Sequence, residues 1–91
     1  MTPTVAAIKA AVTERYGIDL SRRFETATLP RRIAMYLARE MTELSLDEIG
    51  SAFDEDATGV REAVDLVDEL AWNDPLFANT LKELRMMVTG G

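Results

Sequence analysis

Residues 30–53, PRRIAMYLAREMTELSLDEIGSAF, carry two apolar helical stripes separated by one capping serine. That arrangement confines the chain to helices that change direction sharply. Ile33, Leu37, Met41 and Leu44 recur at the helical period, with Ala34 and Ala38 beside them. Pro30 opens this helix, where a missing N–H is tolerated, and the stripe predicts an end near Leu44. Ser45 then caps a second helix. Glu48, three residues on, completes an S-x-x-E capping box, with Leu46, Ile49 and Phe53 facing inward.

The flanking segments are helical as well. Thr2 and Pro3 read as the cap and first position of an initial helix bearing Val5, Ile8, Val12 and Tyr16, with Gly17 as its left-handed stop. Residues 19–23 read as a short helix, followed by a basic loop through Thr28. Asp56 caps a helix with Val60, Val64, Val67 and Leu70 on its inner face. Asp74 and Pro75 begin the last, where Phe77, Leu81, Leu84 and Val88 face inward. No segment alternates long enough to claim a strand, and no repeat appears. The expectation is a single all-α domain over 1–91, a five- or six-helix bundle containing a helix-turn-helix at about 45–71.

With 91 residues, the chain is long enough to bury somewhat more than about 60% of the surface it exposes when unfolded. It contains no cysteine, so disulfides and thiolate metal sites are excluded. It contains no histidine, which removes the commonest general base, the commonest metal ligand and the partner of a Ser-His or Cys-His nucleophile. No phosphate-binding G-x-x-x-x-G-K-[ST] loop occurs, so no nucleotide is expected. The acidic clusters around Asp47, Asp54 to Asp56 and Asp65 to Glu69 lack calcium-loop spacing and read as caps and solvated faces. No catalytic residue, metal site or cofactor is expected. The first seventeen residues interleave charges with apolar positions, unlike a signal peptide or membrane span, so a soluble cytoplasmic protein is expected.

Charge divides the chain. The net value is -6, but residues 1–45 sum to +2 and residues 46–91 to -8. Any surface that attracts an anion must lie in the first half. Arg31 and Arg32 stand in a first helical turn, where the helix dipole disfavours cations by up to about 1 kcal/mol and a bound phosphate would reverse the sign. Glu55 and Asp56 favour their helix start and repel phosphate. Met35, Tyr36, Met41, Trp72, Met86 and Met87 read as core or partly buried, with Trp72 as a secondary candidate for a partner anchor. Gly50 reads as a site of close helix packing. By pattern alone, helices 45–53 and 56–71 read more readily as simple packing in an all-α domain than as a DNA-reading pair.

The run at 30–53 resembles the C-terminal DNA-binding domain of the bacterial replication initiator DnaA. It follows that family's pattern P-R-Q-I-A-M-Y-L-A-R-E-L-T-x-x-S-L-x-E-I-G-x-x-F almost throughout, and the resemblance extends from Val5 to Val88. It implies a helix-turn-helix bundle that binds double-stranded DNA, connected with chromosomal replication initiation or its regulation. It also implies site residues. Arg23 matches a minor-groove arginine in the basic loop, with Arg22 beside it. Arg31 matches an arginine near the DNA backbone, and Arg32 replaces a glutamine that touches DNA.

The following motif departs from the family. The signature F-G-G-R-D-H-T-T-V is replaced by Phe53, Asp54, Glu55, Asp56, Ala57, Thr58, Gly59 and Val60, one residue shorter. Anchored on Val60, Asp56 and Thr58 match the aspartate and first threonine. Ala57 replaces the base-reading histidine, Gly59 the second threonine and Glu55 the arginine. Glu25 and Leu29 stand where the loop is usually basic. Each lost contact costs about 1–3 kcal/mol of discrimination or affinity, so weakened or altered recognition is expected. The competing expectation is a protein-interaction module that no longer binds DNA and offers the acidic face of residues 54–69 to a basic partner.

Overall fold

The computed structural model describes residues 3–18, 20 and 28–90. Among these residues there are five helices and no strand: α1 (Val5–Tyr16), α2 (Thr28–Met41), α3 (Leu46–Phe53), α4 (Ala57–Asn73) and α5 (Pro75–Thr89). The all-α class is as expected. The expected short helix at 19–23 falls outside the described residues, apart from a buried Leu20.

Most helix ends are set by local chemistry. The capping box of α3 is complete: the Ser45 hydroxyl accepts from the Glu48 N–H at 3.1 Å and the Glu48 carboxylate accepts from the Ser45 N–H at 3.0 Å. Asp56 caps α4 by accepting from the Gly59 N–H at 2.7 Å. Asp74 serves two helices. Its N–H donates to the Leu70 carbonyl at the end of α4, while its carboxylate accepts from the Leu76 and Phe77 N–H groups that begin α5. Gly17 closes α1 at φ 66°, as expected of the left-handed stop.

Three boundaries differ from the sequence reading. The cap of α1 is Thr4, which accepts from Ala7 N–H at 3.1 Å, so the helix starts beyond Pro3. Two threonines two residues apart are equivalent by capping preference, and local propensity does not rank them. Helix α2 starts two residues before Pro30, which is accommodated because the first four helical N–H groups have no intrahelical partner. It stops at Met41 because the Thr42 hydroxyl donates to the Ala38 carbonyl at 2.6 Å and accepts from the Leu44 N–H at 3.3 Å, drawing the chain out of the ladder.

The interior is assembled from the expected stripes. Ile8 and Val12 of α1, Ile33 and Leu37 of α2, Ile49 and Phe53 of α3, Val60 and Val67 of α4, and Leu81 and Leu84 of α5 are buried together. Helix α2 contacts α1, α3 and α4; α5 closes the bundle against α1 and α4. Arg85 of α5 adds a paired contact to Glu40 of α2, which raises the arginine's pKa chiefly through that hydrogen bond. The pair is exposed enough that it contributes at most about 1 kcal/mol.

Four apolar residues lie outside the expected burial. Leu70 is an exposed residue because the stripe of Val60, Ala63 and Val67 continues onto Ala71, leaving Leu70 about 100° away around the helix. Met86 lies about 200° from Leu84 on α5 and is exposed, as is Met87. Trp72 is 89% exposed at the end of α4. No described helix is long and apolar enough to cross a membrane.

The capping box predicts an acid-sensitive element. Hydrogen bonds from the Ser45 backbone, then from its side chain, hold the Glu48 carboxyl below its ordinary pKa. Because the folded value is depressed, this contribution to stability is present above the ordinary carboxylate range. It is lost as pH falls through the folded value. Ser45→Ala is expected to destabilise the domain by about 1 kcal/mol at neutral pH and to flatten the acid limb of the stability curve in part, since the backbone N–H at position 45 is kept. Urea unfolding of both proteins from pH 7 down to 3 checks this; parallel curves would remove the box from the account.

Candidate nucleic-acid interface

The angle between α3 and α4 is set by the end of α3. Asp54 stands at φ 58° as the α3 C-cap, donating its N–H to the Gly50 carbonyl, and the Glu55 N–H donates to the same carbonyl at 2.8 Å. Gly50 is needed here: a Cβ would collide with the backbone carbonyl of Glu55. The close packing expected of Gly50 is therefore an approach of its own following turn.

Two cations from other helices hold the same end. Lys9 of α1 donates to the Ala52 carbonyl, and its ammonium lies 4.6 Å from the Phe53 ring centroid. Arg31 of α2 donates to the Phe53 carbonyl and, at 2.7 Å, to the Leu20 carbonyl. No basic residue lies in the last turn of α3, so its partial negative pole is met entirely from outside. Neither contact is suggested by sequence spacing, since the partners lie 43 and 22 residues apart.

Between the N-terminal halves of α2 and α4 lies a cleft of about 450 Å³, walled by Thr28, Arg31, Arg32 and Met35 on one side and by Glu55, Gly59, Glu62, Ala63 and Leu66 on the other. The expected residues Arg31 and Arg32 are brought to this cleft, with Asp56 and Thr58 on the adjoining first turn of α4. Their roles diverge. Arg31 is only 8% exposed and is tied to two carbonyls, so its geometry is that of an internal strut rather than an open phosphate ligand. Arg32 is half-buried at the cleft wall, with no hydrogen bond or ion pair among the described residues. Asp56 is committed to the α4 cap, whereas Thr58 is exposed. Arg22 and Arg23 lie outside the described residues.

The electrostatics of the cleft are mixed. Glu55 and Glu62 oppose the two arginines across it. Farther along α4, the exposed charged side chains besides Glu62 are Arg61, Asp65, Asp68 and Glu69. A phosphate backbone approaching from the α2 side meets positive charge first; one approaching along α4 meets net negative charge. Among the described residues, no group of three or more acidic side chains could hold a metal ion.

Comparison with known proteins agrees with this geometry. The family described as "Bacterial dnaA protein helix-turn-helix" matches residues 5–67, from the start of α1 into α4. The chromosomal replication initiator protein DnaA of Symbiobacterium thermophilum is 40% identical over 87 residues, covering 89% of this chain and 19% of that protein. That of Gluconobacter oxydans is 40% identical over 93 residues, covering 96% and 19%. That of a Thermoanaerobacter species is 37% identical over 92 residues, covering 96% and 21%. The chain spans about one fifth of the length of these curated relatives. From its helical frame, its α3–α4 corner and these matches, the chain belongs to the bacterial dnaA helix-turn-helix family.

Proposed function

We propose that this protein binds double-stranded DNA in connection with chromosomal replication initiation or its regulation, and reads the initiator's box with weakened or altered selectivity. The observation that carries the reading is the junction of α2 and α4. There Arg32, which has no hydrogen bond or ion pair among the described residues, stands near the exposed Thr58 turn of a helix-turn-helix belonging to this family. Arg32, with Arg22 and Arg23 earlier in the sequence, would hold phosphates or the minor groove. Thr58 would approach base edges, and Asp56 would orient the helix start through its cap. Ala57, Gly59 and Glu55 lower selectivity because they offer no counterpart to the family's histidine, second threonine and arginine. Arg31 acts indirectly, by setting the angle of the corner.

Titration of a labelled duplex carrying the initiator's box, beside a scrambled duplex, at two salt concentrations tests this. Binding is expected to weaken with salt. Arg32→Ala should weaken both duplexes to a similar degree and reduce the salt slope by about 1, the signature of a phosphate contact. Arg23→Ala should affect binding more for the box than for the scrambled duplex if it enters the minor groove. Absence of binding to either duplex at low salt would overturn the proposal.

A further inference from the structure

The corner between α4 and α5 carries two large, exposed apolar side chains. Trp72 is 89% exposed and Leu76 82% exposed. They lie four residues apart across the single joint residue Asp74, so their Cα atoms are at most about 14 Å apart. A large aromatic left this open is costly to solvation, and Trp is the residue type most enriched at binding hot spots.

The surroundings narrow the choice of occupant. From residue 62 to residue 81 there are five acids, Glu62, Asp65, Asp68, Glu69 and Asp74, and no Lys or Arg. All five are exposed. This field repels nucleic acid and anionic membrane surfaces, and attracts an apolar segment flanked by positive charge. Trp72 also stands at the opposite end of α4 from Thr58, about 21 Å along the axis at 1.5 Å per residue.

We propose that this corner docks an amphipathic, basic helical segment of a partner protein, with Trp72 and Leu76 as the apolar anchors and the acids of α4 as the electrostatic rim. The site is separate from the α2–α4 cleft and does not depend on DNA binding.

The protein reports on the site directly, since Trp72 is its single tryptophan. The intact chain is titrated with a synthetic amphipathic Leu/Lys peptide while Trp emission and acrylamide quenching are followed. The expected result is a saturable blue shift with reduced quenching, weakened by salt. Leu76→Ala should weaken it about tenfold, whereas Met86→Ala should leave it unchanged. Both positions are exposed, so the fold is retained. Three results would overturn the proposal. The first is an unchanged emission. The second is an equal response to a Leu/Glu peptide or to phosphatidylglycerol vesicles. The third is a blue shift that arises from chain concentration alone with a doubled mass, which would make a second copy the occupant.

Discussion

Arg31→Ala is expected to lower folding stability by about 3 kcal/mol or more, a large share of the roughly 5–15 kcal/mol typical of a native domain. The guanidinium is buried and donates to the carbonyls of Leu20 and Phe53, which belong to separate parts of the chain. Truncation leaves both acceptors without their charged donor and opens a void beneath the α3–α4 corner. With a urea slope on the order of 1 kcal/mol/M, the midpoint should fall by roughly 3 M. Arg31→Lys should recover little, because a single ammonium on a flexible stem does not reproduce a planar fork reaching two carbonyls. Arg32→Ala, one residue on, should change stability by less than about 0.5 kcal/mol. Equal midpoints for Arg31→Ala and Arg32→Ala would show that Arg31 is not a strut.

The second large effect concerns selectivity. Restoring the family's side chains as Glu55→Arg, Ala57→His and Gly59→Thr is expected to raise affinity for the initiator's box by on the order of 100-fold, at about 1–3 kcal/mol per regained contact. The separate arms divide the effect. Glu55→Arg alone reverses a charge at the cleft and should strengthen boxed and scrambled duplexes alike. Ala57→His with Gly59→Thr should raise the ratio between them. A Cβ at position 59 would meet the tip of the Glu55 side chain and, at 3.3 Å, the Asp56 carboxylate, so Gly59→Thr requires the flexible side chain at position 55 to swing aside. Circular dichroism checks that the fold is kept. If the folded triple variant shows the same ratio as the parent, the register anchored on Val60 is not the one that faces DNA.

What could be read from sequence was what depends on neighbours a few residues away. The Ser45–Glu48 box, the Asp56 and Asp74 caps and the Gly17 stop involve groups two to four residues apart, and each follows from its own chemistry. The buried stripes of α2 and α4 followed from periodicity. The orientation of Arg31 did not, because a guanidinium in a first turn reaches solvent or a distant carbonyl with equal local plausibility. Lys9 gave no signal at all, since its partners in α3 become neighbours only after α1 packs. Trp72 was expected to be at least partly buried because tryptophan usually is. Its exposure follows from its position about 100° around the helix from Ala71, off the stripe that packs against the core, which residue-type preference alone does not convey.

The external hold on α3 also bears on how such a domain diverges. Its closing carbonyls are secured by Lys9 and Arg31, neither of which lies in the segment after Phe53. The corner's geometry is thus insulated from much of the side-chain chemistry at positions 54–59. A residue can be lost there and acids can replace reading groups while the scaffold persists. Architecture and specificity reside in different stretches of chain, and one can drift while the other is kept.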